Sequence, residues 1–337
     1  MGGSIDYVAT MCWTEASSFV EVAVAHRSRF SIAPGSMVRN NESVRDCQSR
    51  AWKRGDAMKS SLACSIVLCL LLAGPTVAAD WMQYRGPGGL ATSNQTGLPV
   101  TWSERENIVF KTDLPGPGTS SPIVVSGRIY LTCYSGYGLK PNEGEMNDLV
   151  RHVVCVDRKT GRILWTKKFK PELPESRYSG GNNSHHGYSS STIASDGERL
   201  YVFFGKSGVY CLDLDGDQLW HTDVGKGSTG WGSSNSPVIY KNLVLINASV
   251  ESRSLVALDK TTGEQVWKAG GMRASWNTPC LVEVADGKTE LVVSVEGQIL
   301  GFNPASGEQL WSCYGIQDYV VPSVITQDGI VLRYWRT

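Results

Sequence analysis

The chain has 337 residues, with 32 basic and 32 acidic side chains, 41% hydrophobic residues and only 19% charged ones. That balance supports a packed core and excludes a disordered chain. A formal net charge of zero leaves no electrostatic footprint for nucleic acid or for an anionic membrane surface. The 36 glycines and 11 tryptophans point to short strands and frequent turns, and exclude a coiled coil or a polytopic membrane protein.

Residues 1–57 show no sustained hydrophobic period and are read as a mis-called or disordered leader outside the fold. From Met58 the chain reads MKSSLACSIVLCLLLAGPTVAADW. Lys59 supplies a basic start, Leu62 to Gly74 an apolar stretch, and Val77-Ala78-Ala79 a small-residue exit, which is the pattern of a cleavable signal peptide over 58–79. The apolar stretch is shorter than the ~20 residues a membrane span needs, so no stable span is expected. Cys64 and Cys69 lie within or before the run rather than after it, so a lipid anchor is not expected. Cleavage after Ala79 would leave 24 basic and 26 acidic side chains and a periplasmic or secreted protein. Five cysteines follow: Cys133, Cys155, Cys211, Cys280 and Cys313. An odd number in an exported chain argues against a complete disulfide framework.

Residues 80–337 are organised by repetition. One phrase returns four times: VVCVDRKTGRILW, VYCLDLDGDQLW, LVALDKTTGEQVW and ILGFNPASGEQLW, ending at Trp165, Trp220, Trp267 and Trp311. The tryptophans are 55, 47 and 44 residues apart. Each phrase is an apolar strand, a turn and a second strand ending in Trp. The turns carry Asp157 with Gly161, Asp213 with Gly216, Asp259 with Gly263 and Asn303 with Gly307. An Asp or Asn side chain can cap such a turn and glycine can take positive φ, so each phrase predicts a hairpin.

A second strand–turn–strand phrase precedes each, at 120–133, 189–204, 235–248 and 277–295. Two hairpins make a four-stranded antiparallel unit that cannot bury both faces alone, so neighbours must stack. Radial stacking of such units predicts an all-β propeller, with a two-sheet sandwich as the rival. Cys155 and Cys211 occupy a repeat position held elsewhere by Ala257 and Gly301, a slot for a small side chain against the next blade.

The Asp-x-x-Thr-Gly-x-x-x-Trp phrase with its preceding Ser-x-Pro strands resembles the PQQ-like β-propeller repeat of exported bacterial proteins. That family includes quinoprotein alcohol dehydrogenases, a non-enzymatic outer-membrane-protein assembly lipoprotein, kinase sensor domains and many secreted propellers. The resemblance implies a propeller in an exported protein. For a dehydrogenase it would further imply PQQ with Ca²⁺, two adjacent cysteines, an Asp base, and Glu and Asn ligands. No Cys-Cys pair is present and the other roles find no matching positions. The reading is therefore a non-catalytic binding or scaffolding propeller with no assigned catalytic residue, metal or cofactor, and a PQQ-dependent alcohol dehydrogenase as its alternative.

With strands A to D in each blade, the B–C loops and the links between blades share one face. His185, His186, Tyr188, Trp231, Arg273, Trp276, Asp318 and Tyr319 fall there, beneath a long loop at 134–151. Aromatic and polar groups around a funnel suit a protein or small-molecule ligand, and equally suit the capping of adjacent blades. Adjacent histidines tend to point apart, and Asp213, Asp215 and Asp217 lack the glycine and glutamate of a calcium loop, so no metal is assigned. No Gly-x-Ser-x-Gly, Walker, HExxH or dinucleotide motif is present in the mature region.

At the two ends, FKTDLPG (110–116) reads as the fourth strand of a blade, and VVPSVITQDGIVLRYWRT (320–337) as a further blade begun. Arg333, Tyr334, Trp335 and Arg336 are expected to break the alternation of its second strand. The expectation is an incomplete ring of four full blades with fragments at each end, from a truncated or frameshifted chain or one that needs a partner. The alternative is a small ring closed by pairing 320–334 with 108–113.

Overall fold

A computed structural model describes residues 19–23, 80–96, 98–103, 105–140, 143–178, 186–284, 287–327 and 330–335. The chain divides into two units, and the second, residues 26–79, lies wholly outside the described residues, as do the expected signal peptide and Ala79. The blades all belong to the first unit.

Strand β1 is Phe19–Ala23. The first blade is β2 (Ile123–Val125), β3 (Arg128–Ser135), β4 (Val150–Asp157) and β5 (Ile163–Phe169). The second is β6 (Ala194–Ser195), β7 (Arg199–Phe203), β8 (Val209–Asp213) and β9 (Gln218–Thr222). The third is β10 (Val238–Tyr240), β11 (Leu243–Ala248), β12 (Ser254–Asp259) and β13 (Gln265–Gly270). The fourth is β14 (Cys280–Glu283), β15 (Thr289–Val295), β16 (Gln298–Phe302) and β17 (Gln309–Tyr314). Each sheet pairs in sequence order, antiparallel throughout, as the two-hairpin repeat requires.

The expected packing principle holds: cores form between successive blades. Tyr130, Val153 and Cys155 of blade 1 meet Leu200, Val202 and Leu212 of blade 2. Phe203 and Cys211 of blade 2 meet Val244, Ile246 and Leu258 of blade 3, and Leu245 and Ala257 of blade 3 meet Val293 and Leu300 of blade 4. The small slot has a second cause that the repeat conceals. Cys155, Cys211, Ala257 and Gly301 stand directly across from Trp165, Trp220, Trp267 and Trp311, and a bulge follows each of them. At Gly301 a Cβ would come within 2.1 Å of the Trp311 ring.

The repeat turns form as the sequence predicts. The Asp213 carboxylate accepts from the Asp215 and Asp217 amides at 2.9 and 2.8 Å, and Asp259 accepts from Thr261 and Thr262 at 2.8 and 2.9 Å. Asp157 and Asn303 do the same from Thr160 (2.7 Å) and Ala305 (2.9 Å). Gly161, Gly216, Gly263 and Gly307 all have φ between +71° and +84°.

These glycines also seat the tryptophans. A Cβ on Gly263 would lie 2.6 Å from the Trp220 ring of the preceding blade, and one on Gly307 2.5 Å from Trp267. Trp220 Nε1 donates to the Lys260 carbonyl (3.2 Å), and Trp267 Nε1 to Pro304 (3.1 Å). Each Trp thus closes the joint to the blade that follows. At the first joint the turn is one residue shorter, and the corresponding Leu214 carbonyl accepts from Arg128 (2.9 Å) and Tyr130 (3.2 Å) instead. Trp165 Nε1 is left buried without a partner.

The expectation for 110–116 is met in contact rather than in strand. Phe110 fills the Trp position over Gly161, where a Cβ would lie 2.4 Å from its ring. Thr112 donates to the Gly161 carbonyl at 2.7 Å, as Thr222 does to Gly263 at 2.7 Å.

A second belt runs along the inner strands. The amides of Ser121, Thr192, Ser236 and Thr278 donate to the hydroxyls of Thr192, Ser236, Thr278 and Ser323, each in the next blade, at 2.9–3.0 Å. Three of the five belt residues, Ser121, Ser236 and Thr278, immediately precede a proline. Because every hydroxyl on the belt accepts from its neighbour, loss of one would unpair a buried amide.

The belt reaches a fifth sheet of three strands, in which β18 (Ile325–Gln327) pairs with β19 (Ile330–Trp335) and β19 with β1. This sheet bears on two segments of the sequence. Residues 333–335 continue the strand although they interrupt its alternation, since backbone pairing and a run of Ile, Val, Leu, Tyr and Trp carry it. Part of the segment placed outside the fold, Phe19–Ala23, forms a strand, with Phe19 opposite Trp335 and Ala23 opposite Val331. Among the described residues, 108–113 form no ladder with 325–335, and the arc is open.

Candidate functional site

The face carrying the links between blades brings four of the proposed rim residues into one chain of contacts. His186, in the link after blade 1, receives or gives hydrogen bonds at both ring nitrogens, to Ser190 Oγ (2.8 Å) and to the Trp231 carbonyl (2.7 Å). The Trp231 ring lies 6.4 Å from that of Tyr319, which lies 5.7 Å from that of Trp276. Trp276 is buried, its Nε1 donating to the Gly232 carbonyl at 2.8 Å. Tyr319 stands 67% exposed. The patch therefore joins the links that follow blades 1, 2, 3 and 4.

The remaining candidates divide. Arg273 and Asp318 are exposed beside the patch, Arg273 3.5 Å from Glu296 and Asp318 accepting from the Tyr319 amide at 2.7 Å. Tyr188 lies beneath the surface rather than on it. Its ring packs edge-on to Tyr134 at 5.4 Å and beside Tyr137 and Tyr178, and its hydroxyl donates to the Ser176 carbonyl at 2.7 Å. Leu149, at the far end of the long loop, packs against the same tyrosine cluster. His185 lies outside the described residues.

Below the patch is a buried ionic cluster that pattern reading missed. Arg151, on β4, is 7% exposed and Glu175 6%, with Nη2 to Oε1 at 2.6 Å. The guanidinium also donates to the Tyr188 carbonyl (2.8 Å) and to Ser207 Oγ (2.9 Å), and lies over the Phe204 ring. Lys206 donates to the Pro174 carbonyl and is itself buried. The available signal was Arg151-His152 interrupting an otherwise apolar strand. A buried arginine on such a strand has to be met by a buried partner.

Glu251 closes the cluster. It sits in a short helix α1 (Ser249–Ser252), 4% exposed, and accepts from Ser233 Oγ at Oε1 while Oε2 has no partner. Burial pushes its carboxyl up to about 7, the Ser233 hydrogen bond opposes the shift, and the nearby Glu175 adds to it. Between the unfolded value of 4.5 and the raised one, the folded state holds more protons. The stability Glu251 retains at low pH therefore declines as pH rises through 7. Glu251→Gln is expected to flatten the fall in melting temperature across that window and to melt above wild type at pH ~8. Parallel wild-type and mutant pH profiles would contradict this.

The recess among Arg151, Glu175, His186, Lys206 and Ser233 has a volume of about 20 Å³, enough for one water. Its charged groups hold loops together and leave no room for an organic substrate. Among the described residues no three His, Cys, Asp or Glu side chains are grouped to hold a metal ion. Cys133, Cys155, Cys211 and Cys280 are buried on separate strands, Cys133 and Cys155 pushed up to about 11 and Cys211 to about 12 by burial. No two cysteines stand adjacent among the described residues.

Residues 151–314 match the family model described as outer membrane protein assembly factor BamB. Those residues are therefore similar to the PQQ-like repeat of that family. Outer membrane protein assembly factor BamB of Burkholderia pseudomallei (strain K96243) is 25% identical over 197 residues, 57% of this chain. The chain spans 41% of that relative's length. Among solved structures, quinohemoprotein alcohol dehydrogenase from Comamonas testosteroni shares 17% identity with a TM-score of 0.44, over 65% of this chain and 39% of that one. BamB from Moraxella catarrhalis shares 15% identity with a TM-score of 0.30, over 66% of this chain and 96% of that one. A shared repeat does not by itself assign an activity, which has to be argued from the site. No helix among the described residues is long and apolar enough to cross a membrane.

Proposed function

We propose that this PQQ-like propeller is an exported, non-catalytic docking module that contributes to outer membrane protein assembly by binding a protein partner at its rim. The observation carrying the reading is the Trp231–Tyr319–Trp276 patch. It is aromatic, rigidly backed by hydrogen-bonded links, exposed at Tyr319 and flanked by the charges of Arg273 and Asp318. Aromatic anchors with arginine at the edge are the composition of interface hot spots. The buried charges beneath the rim that a substrate site would use are occupied with joining blades.

Replacing Tyr319 and Arg273 together by serine removes exposed groups only, so stability is expected to change by no more than ~0.5 kcal/mol. In cells lacking the native copy, the double variant is expected to lower the level of folded outer-membrane β-barrels while its own level stays normal. Wild-type levels of barrels with the variant would refute the rim as the docking surface. Reconstitution with PQQ and Ca²⁺ is expected to give no alcohol-dependent dye reduction, and turnover requiring both would replace this reading with the dehydrogenase one.

Export is part of the proposal. Among the described residues Asp80 is the first engaged with the four complete blades, its carboxylate accepting from the Ser126 amide at 3.1 and 3.2 Å, and cleavage before it would remove Phe19–Ala23 from the fifth sheet. N-terminal sequencing of the mature protein is expected to begin at Asp80. Recovery of residues 1–57 in that product would overturn the signal-peptide assignment.

A further inference from the structure

The inner strands border a half-open cavity that shares no lining residue with the rim recess. The segment from Asp80 to Leu90 runs along the inside of the arc. Trp81 exchanges both backbone hydrogen bonds with Val124 of β2 (2.9 Å each), and the Ser195 amide of β6 donates to the Met82 carbonyl at 2.8 Å. Between the continuation of this segment and the inner strands β10, β14 and β18 lies a cavity of about 730 Å³. That is the size of sites that hold small organic ligands. Tyr84, Tyr240 and Leu281 give it apolar walls, and Gln83, Arg85, Glu283 and Thr326 are among its polar ones.

Arg85 is the unusual member. Its Nη1 is buried and has no hydrogen-bond partner, and no described carboxylate pairs with it, although Glu283 lines the same cavity. Its guanidinium rests 5.3 Å from the centre of the Tyr84 ring. Its backbone is left-handed, at φ +60°, a conformation that costs a non-glycine residue ~1 kcal/mol. The neighbouring turn fixes it there. The Ala91 amide donates to the Arg85 carbonyl at 2.7 Å, Gln83 Nε2 donates to the Gly86 carbonyl at 3.0 Å, and Gly86, at φ +68°, leaves by its missing Cβ the space that the Trp81 indole fills. A strained, buttressed arginine with a buried unpaired donor beside a cavity of mixed polar and apolar lining has the form of an anion receptor.

We propose that this cavity binds a small organic acid, its carboxylate held by Arg85 and its apolar body lying against Tyr240 and Leu281. An unpaired guanidinium favours an anion, and the apolar walls favour one with a hydrocarbon or aromatic body over an inorganic ion. The reading is independent of rim docking. Rim variants should leave acid binding intact, and cavity variants should leave barrel assembly intact.

Titration calorimetry on the mature protein with octanoate, phenylacetate and indole-3-acetate tests it, with octanol and phenylacetamide as neutral counterparts. At least one acid is expected to bind at least tenfold more tightly than its neutral counterpart, and Arg85→Gln is expected to weaken that binding tenfold or more. Leu281→Trp, which fills the cavity while keeping Arg85, is expected to abolish it and decides the matter if Arg85→Gln does not fold. Absence of binding by all three acids up to about 10 mM, or equal binding by wild type and Arg85→Gln, would overturn the proposal.

Discussion

Trp220→Ala lowers the unfolding free energy by about 3–5 kcal/mol, because it empties a buried joint and removes one of the donors to the Lys260 carbonyl. The effect belongs to two blades at once. The indole contacts Gly263 of blade 3 and stands opposite Cys211 in its own sheet. Gly263→Ala destabilises as well, since it brings a Cβ to 2.6 Å from the same ring at a φ of +77°. Leu219→Ala, one residue away and 50% exposed, is the control and costs less than ~0.5 kcal/mol. Urea midpoints read these values. A Trp220→Ala midpoint within the spread of the Leu219 control would show that blade joints do not depend on the tryptophans.

Arg151→Met is the second large effect. It leaves the Glu175 carboxylate buried without its cation, and such a stranded charge costs about 3–5 kcal/mol. The Tyr188 carbonyl and Ser207 hydroxyl lose a donor in the same step, loosening the links under the rim. The double variant Arg151→Met, Glu175→Leu removes both charges and is expected to recover most of the loss, since well-packed apolar pairs can replace buried ion pairs at little cost. Chemical denaturation of the two variants distinguishes a pair that fixes loop geometry from one that merely fills space. If the double variant is as unstable as the single one, the hydrogen bonds to Tyr188 and Ser207 dominate the ion pair.

The blades were legible because their signals are local and repeated. Asp or Asn capping a turn, glycine at positive φ and an alternating strand each have a short-range cause, and four copies made the reading secure. Even the joint at Phe110 could be anticipated, since Phe110-Lys111-Thr112 aligns with Trp220-His221-Thr222. The rim was legible only as a face. Which of its residues meet depends on how links of different length fold back, so Trp231, Trp276 and Tyr319 converge while Tyr188 turns inward to a tyrosine cluster. The cluster of Arg151, Glu175, Lys206 and Glu251 draws its members from a strand, a loop, a 3-10 turn and an α-helix, and no spacing along the chain announces it. The pairing of Phe19–Ala23 with Ile330–Trp335 was hidden for the same reason, its partners lying at opposite ends of the sequence.

The central claim, that the aromatic rim docks a protein partner, is tested most directly by placing a photo-crosslinking amino acid at position 319 in living cells. A discrete adduct with a component of the outer-membrane assembly machinery is expected from position 319, and none from position 219 on an outer strand. Adducts of equal yield from both positions, or none from position 319 while the protein is folded and exported, would contradict it.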